Sequence, residues 1–207
     1  MKVIKNVLPI LLLISSFVFA QTNEMKPEVG KFYNAGNKLL KAGDYTGAIE
    51  KYNNALQTSK DYRIFYQKAI SLKKLRKYKL AEEAFQSSIQ NNPKFDLAYN
   101  GLGGIYFVQG KYSQAVKSFT KFKEVTTKKK YKRKADQYIS KSYTKLGAKA
   151  KSNGRLKKAV EYLKKAVSSS DYDAAYLLLA EVSSDLGNYK ATLSAAEKAL
   201  KYRKSIS

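Results

Sequence analysis

Residues 96–127 read DLAYNGLGGIYFVQGKYSQAVKSFTKFKEVTT, and this stretch decides the fold. Apolar or small residues recur three or four positions apart on either side of Gln109-Gly110-Lys111, which is the spacing of one helix face. They are Leu97, Tyr99, Leu102, Gly103 and Tyr106, then Tyr112, Ala115, Phe119 and Phe122. The pattern predicts a helical hairpin, in which the small side chains of Gly103 and Ala115 let the two backbones approach closely.

The hairpin pattern recurs five times along the chain. The turns lie at Gly43, Arg76, Gly110, Gly154 and Gly187. The first helix of each copy opens with an aromatic residue: Phe32, Phe65, Tyr99, Tyr143 and Tyr176. A small residue follows it, at Gly36, Ala69, Gly103, Gly147 and Ala180. The second helices place Tyr52, Phe85, Phe119, Leu163 and the smaller Ala196 at one shared position. Because one hairpin cannot bury its apolar faces alone, the copies are expected to stack.

With a period of about 34 residues, the chain resembles the tetratricopeptide repeat family over roughly residues 29–205. The resemblance implies an all-α fold, an α-solenoid with a right-handed superhelix of five hairpins. Two residues depart from the family pattern: Lys68 replaces a large apolar residue, and Phe122 replaces a small one.

The predicted domain organisation has three parts: a secretory signal at 1–20, a short polar leader at 21–28 and the solenoid at 29–207. The repeats span about 29–61, 62–95, 96–129, 140–172 and 173–206, with a basic helix extension at 130–139. Helical phase is kept across that extension, which predicts one long helix over 129–152. Its first turns are expected to project beyond the body of the solenoid.

The amino-terminal residues predict export. Lys2 and Lys5 precede a short apolar run that ends in Val18-Phe19-Ala20, a pattern typical of a cleaved signal. Cleavage would leave Gln21 first and no stable transmembrane segment, whereas an uncleaved membrane anchor is the alternative. The expected location is the periplasm, with secretion or outer-membrane association as alternatives.

Composition excludes several kinds of chemistry. The chain has no Cys, His or Trp, which rules out disulfides, Cys/His zinc sites and nucleophile–His pairs. The adjacent Glu82 and Glu83 point apart on a helix, and Asp171 and Asp173 are interpreted as helix caps. No phosphate loop is expected in Gly101-Leu102-Gly103-Gly104, because it lies within a helical pattern. We therefore expect a non-catalytic protein without cofactor or metal.

The family resemblance implies which residues line the concave groove where such repeats receive peptides. Residues carried over from the first helices are Tyr33, Asn37, Leu40, Tyr66, Ile70, Lys73, Asn100, Gly104, Phe107, Thr144, Ala148, Lys151, Leu177, Glu181 and Ser184. The clamp that binds chaperone carboxyl termini is absent, because Tyr33, Gln67, Leu97 and Gly101 hold four of its positions. These residues predict a protein or peptide partner.

Positive charge supports a second hypothesis. The formal net charge is +24, and its densest cluster comprises Lys128, Lys129, Lys130, Lys132, Arg133 and Lys134. These side chains are either the solvated face of a helix or a docking site for an anionic polymer, a lipid head group or an acidic protein of the envelope. Export disfavours nucleic acid as the partner. A binding scaffold of the cell envelope is the predicted function, with anion binding as the alternative.

Overall fold

A computed structural model describes residues 25–204, which form ten α-helices and, within that range, no strand. The helices are α1 (Pro27–Ala42), α2 (Tyr45–Leu56), α3 (Tyr62–Lys74), α4 (Tyr78–Asn91), α5 (Asp96–Val108), α6 (Tyr112–Val125), α7 (Lys129–Ser152), α8 (Leu156–Ser169), α9 (Asp173–Asp185) and α10 (Tyr189–Lys204). They pair as five hairpins, and each hairpin packs on the next along the chain. The predicted all-α solenoid is confirmed, and so is the long helix over 129–152.

The turn inside each hairpin uses one backbone conformation. After α1, the amide of Asp44 donates to the carbonyl of Leu39 and the amide of Gly43 donates to that of Leu40. This Schellman pattern needs a left-handed residue, which glycine supplies without strain. Gly43, Gly110, Gly154 and Gly187 have φ between 69° and 86°, whereas the second hairpin places Arg76 there at φ 57°. The turn of the second hairpin is therefore the one with a strained backbone.

The core of each hairpin consists of a large side chain from its second helix seated over a small residue of its first. A Cβ atom on Gly103 would lie 2.7 Å from Cε1 of Phe119, and Gly36 faces Tyr52 just as closely. Gly147 holds Leu163 in the same way. At Gly103 the close approach is that of the Phe119 ring to the backbone of α5. These glycines make room for the large side chains that pack on them.

The second hairpin finds room for its ring in a different place. Ala69 occupies the small position there, and the fully buried Phe85 shares a core cluster with it. The ring instead reaches the next hairpin, where a Cβ on Gly101 would lie 2.3 Å from Cε1 of Phe85. The third hairpin has the opposite arrangement. Gly103, in its own first helix, makes room for the ring of Phe119, whereas the position equivalent to Gly101 in the following hairpin is held by Lys145. Each of these rings therefore has a glycine on one side only.

The first turns of α7 do not project freely, which corrects the prediction. Tyr131 lies 5.9 Å from the ring of Phe122, and Tyr138 lies 4.8 Å from the ring of Phe119. Ala135, between them, is fully buried, and Lys123 of α6 pairs with Asp136 at 2.7 Å. The extension thus covers Phe122, which is larger than the alanine or serine found there in the other repeats.

The carboxyl-terminal end of the stack leaves apolar side chains uncovered. On α10, Tyr189, Leu193 and Leu200 are 77%, 63% and 58% exposed. The last hairpin also pairs Ala180 with Ala196, so it has no large side chain at the shared position. The fifth repeat therefore lacks the large side chain that the other four repeats place at this position.

The predicted signal at 1–20 and most of the polar leader lie outside the described residues. Helix α1 begins at Pro27, inside the segment assigned to the leader. Over the range that the structure describes, no helix combines the length and apolar character needed to cross a membrane.

Candidate functional site

The first helices of the hairpins form one face of the solenoid, here called the groove. Its middle part contains a cavity of about 340 Å³ between α3, α5 and α7. Six of the residues expected to line the groove meet in this cavity: Tyr66, Ile70, Lys73, Asn100, Gly104 and Phe107. Gly101, Val108, Phe119, Tyr138 and Lys141 complete it. The structure therefore brings together the predicted residues of the second and third repeats.

The cavity combines an apolar floor with cationic groups and has no acidic residue in its lining. The ring of Tyr66 is held edge-on against Phe95 at 5.0 Å, and Phe107 packs on Tyr112 at 5.4 Å. Burial raises the pKa of Tyr66, which keeps its hydroxyl neutral at ordinary pH. The Oδ1 atom of Asn100 is buried without a hydrogen-bond partner. A ligand with apolar surface, negative charge and a donor N–H would match these groups.

The groove residues of the first repeat make contacts within the chain. The hydroxyl of Tyr52 donates a hydrogen bond to Oδ1 of Asn37 at 2.8 Å. Tyr33 and Leu40 pack, half-buried, against the core cluster that contains Tyr52. The binding role of these three residues stays a prediction.

In the fourth and fifth repeats, side chains of the groove pair with each other. Lys151, predicted to bind a partner, forms ion pairs with Glu181 and, at 3.2 Å, with Asp185. These ion pairs link α7 to α9 and compensate the charge of Lys151, whose role in partner binding stays a prediction. Thr144 is buried and donates to the carbonyl of Ser140 at 2.9 Å. Ala148 is half-buried, whereas Leu177 and Ser184 are exposed.

Sequence reasoning missed the contribution of α7 to the cavity, namely Tyr138 and Lys141. Lys141 lies three residues before Thr144. Arg63 and Leu97 hold the same positions relative to Tyr66 and Asn100, yet neither lines the cavity, so the register of the repeats gave no signal for Lys141. Tyr138 could not be found in this way either, because it belongs to the extension and has no counterpart in a standard repeat.

All six cations of the cluster at 128–134 are exposed, and none of them forms an ion pair in the described part of the chain. Lys128 lies over the ring of Tyr131 at 5.3 Å, and Lys134 lies over that of Tyr138 at 5.6 Å. Tyr138 lines the cavity, and burial, followed by the charges of Lys74 and Lys134, lowers the pKa of Lys73 in the same lining. One end of the basic cluster therefore reaches the groove.

Within residues 25–204, no three potential metal ligands come together. Glu82 pairs with Lys111 at 3.2 Å. The helix-cap interpretation of two aspartates needs correction, because the N-cap position of α9 is held by Tyr172, which makes no side-chain cap hydrogen bond. Asp173 accepts from the amide of Ala174, and Asp171 accepts from the hydroxyl of Tyr176.

Stacked helical hairpins with a groove along their first helices define a class of repeat protein, the α-solenoids that bind ligands on one face. Two family models, both described as tetratricopeptide repeat, match residues 66–124 and residues 140–172. The chain therefore contains tetratricopeptide repeats in these two segments.

Its curated relatives match over part of their length. The small glutamine-rich tetratricopeptide repeat-containing protein 2 of Mycosarcoma maydis is 31% identical over 91 residues, which are 44% of this chain and 26% of the relative. Its namesake in Saccharomyces cerevisiae is 28% identical over 103 residues, or 49% of this chain and 30% of the relative. The chain thus spans less than a third of the length of either relative.

Solved structures share the fold. A crystal structure of MamA has a TM-score of 0.61 at 20% identity and covers 85% of this chain and 92% of its own. MamA from Desulfovibrio magneticus RS-1 has a TM-score of 0.58 at 17% identity and covers 88% of this chain and 98% of its own. The TPR2B domain of yeast Sti1, solved as a complex with pHsp70, has a TM-score of 0.53 at 18% identity, covering 56% and 95%. At such identities the likeness concerns the fold alone.

Proposed function

We propose that this chain is a non-catalytic binding module whose groove receives an extended segment of a protein partner. The observation that carries the proposal is the cavity between α3, α5 and α7, where Tyr66, Ile70 and Phe107 present apolar surface. Such half-buried aromatic anchors in a pocket supply much of the affinity of protein interfaces. The Sti1 domain, which was solved in a complex with pHsp70, supports this use of the fold.

Peptides selected from a displayed random library would test the proposal. Phe107→Ala should reduce the binding free energy of the selected peptides by about 1–2 kcal/mol, as loss of an interface aromatic does. Val108→Ser is the safer variant for folding, because Val108 lines the cavity yet is 54% exposed. Leu193→Ser is the matched control, with an apolar side chain on α10 that is 63% exposed and outside the groove. Equal binding by all variants would refute the groove as the site.

The setting of this module is proposed to be the cell envelope. The support is the sequence of residues 1–20, whose two lysines, apolar run and Val18-Phe19-Ala20 match an export signal. The periplasm is the proposed location, with secretion or outer-membrane association as alternatives. Mass spectrometry of the cellular protein should find a chain that starts at Gln21, whereas an intact Met1 in the membrane pellet would contradict export with cleavage.

A second candidate function is anion binding by the cluster at 128–134. It is favoured by one observation, that all six of its cations are exposed and without carboxylate partners in the described chain. Replacing Lys129, Lys130, Lys132 and Arg133 by glutamine should then abolish binding to vesicles rich in anionic lipid. That binding should also fall steeply with salt, because exposed charges are screened over about 8–10 Å. Vesicle binding that survives the four substitutions would exclude the cluster.

A further inference from the structure

Resting on the proposed groove function, we propose a chemistry for the bound segment: an acidic side chain beside a large apolar one, within the interior of a peptide. The apolar side chain occupies the cavity, and the carboxylate binds at Lys73 of α3, with Lys141 of α7 as the second cation of the lining. These requirements go beyond the general use of the groove, because they follow from the particular groups that line this cavity.

Lys73 is an exposed cation on the cavity wall, and no carboxylate pairs with it within the described residues. Its Nζ atom extends across the groove to α5, 3.5 Å from where a Cβ on Gly104 would lie. Burial lowers the pKa of Lys73, and nearby Lys74 and Lys134 lower it further. Each of these effects disfavours the charged form, and a carboxylate brought close would offset them. No ion pair of the described chain includes Lys73.

Lys141 adds a second cation to the lining of the cavity, from α7. Its Nζ atom lies 5.8 Å from the centre of the Tyr172 ring, and it forms no ion pair in the described residues, although it also borders a neighbouring pocket that contains Asp171 and Asp173. Lys134, two helical turns earlier on α7, lies on the same side of that helix. The extension of α7 therefore brings positive charge to the groove, and the basic cluster and the cavity form one continuous surface at Lys134.

A comparison with Lys151 shows why the cavity should select acidic peptide segments. Lys151 is compensated by Glu181 and Asp185, whereas the cavity has two lysines and no acid in its lining. The unpartnered Oδ1 of Asn100 adds an acceptor for a backbone N–H of the segment. An acidic and apolar segment satisfies all three groups, while a basic or wholly apolar one leaves the lysines unpaired.

Fluorescence anisotropy with short labelled peptides tests the proposal. The peptides carry a central Glu-Phe-Glu, Gln-Phe-Gln, Lys-Phe-Lys or Glu-Ser-Glu in a Gly/Ser background and are blocked at both ends. Glu-Phe-Glu should bind at least about tenfold more tightly than the other three, since a charge-assisted contact and an aromatic anchor each contribute at about that level. An unblocked peptide with Phe next to a free terminal carboxylate should bind no better than Glu-Phe-Glu.

Two pairs of substitutions with the same change in charge separate a site from general attraction. The double variant Lys73→Gln with Lys141→Gln should bind the Glu-Phe-Glu peptide about tenfold more weakly, while its affinity for the Gln-Phe-Gln peptide should stay unchanged. Lys79→Gln with Lys149→Gln, two exposed lysines outside the cavity lining, should change neither peptide by more than about twofold. Equal losses with both pairs would overturn the proposal in favour of nonspecific charge attraction.

The remaining outcomes distinguish this inference from the proposed function. If Gln-Phe-Gln binds as well as Glu-Phe-Glu and binding still depends on Phe107 and Val108, the groove binds peptides and the acidic requirement is wrong. If only the free terminal carboxylate supports binding, the interior segment is wrong. If no peptide binds and library selection also fails, both the inference and the groove function are refuted.

Discussion

Replacing Gly101 by alanine should destabilise the solenoid, although alanine is the better helix former. A Cβ atom at this position would lie 2.3 Å from Cε1 and 2.4 Å from Cζ of Phe85, a ring that is fully buried. Overpacking of this kind costs about 1–3 kcal/mol, and the gain in helix propensity offsets about 1 kcal/mol. The expected net loss of unfolding free energy is up to about 2 kcal/mol.

The matched control is Gly104→Ala, in the same helix and three residues away. Its Cβ would meet only Nζ of Lys73, at an ordinary contact distance of 3.5 Å. The helix propensity gain of about 1 kcal/mol should therefore appear undiminished. In thermal melts a change of this size corresponds to about 2–4 °C in a domain of this length. We expect Gly101→Ala to melt below the parent chain and Gly104→Ala to melt above it.

A double-mutant cycle tests the cause of the loss. Ala69→Gly alone should destabilise the chain by about 1 kcal/mol, because it weakens α3. In the Gly101→Ala background it should instead recover stability, since it gives the ring of Phe85 the room that Gly103 gives to Phe119. Additive effects in the cycle, or a Gly101→Ala melt equal to that of Gly104→Ala, would refute the account of ring placement.

Three further predictions concern other parts of the fold. Arg76→Gly should stabilise the chain by about 0.5–1 kcal/mol in urea denaturation, because Arg76 has φ 57°; Gly110→Ala, at φ 72°, should cost a similar amount. Lys68→Leu should add about 1 kcal/mol by burying apolar surface. That gain should shrink as the pH rises toward 10.5, because burial lowers the pKa of Lys68 and the parent chain then buries a neutral amine. Amide hydrogens of α9 and α10 should exchange before those of α5 and α6, because the terminal repeat packs on one neighbour only.

Local periodicity was sufficient to predict the helices, including the full extent of α7. The apolar or small residues from Tyr131 to Ala150 keep one helical phase, and no glycine or proline interrupts the pattern before Gly147. Phe122 departs from the family pattern, and the structure explains this large residue by the ring of Tyr131, which covers it. Spacing in the chain does not show which ring covers which residue, so the predicted free projection of α7 was wrong.

The candidate site was predictable only in part. The register of the first helices placed Tyr66, Asn100 and Phe107 on one face, and all three line the cavity. The same register included Asn37 and Lys151, which bond to Tyr52 and to Glu181. Sequence position defines the face of a helix, but it does not show whether a side chain on that face already has a partner in the fold. That depends on residues that are distant in the chain.

The placement of glycines limits how this array can grow by duplication. A tandem copy of the third repeat would set Phe119 against a second Gly101, which leaves room for the ring. A tandem copy of the second repeat would set Phe85 against Gln67, two residues before Ala69, so that neither neighbouring helix offers a glycine. The repeats share one pattern, yet they are not interchangeable modules, and the second one is tied to the neighbour that follows it.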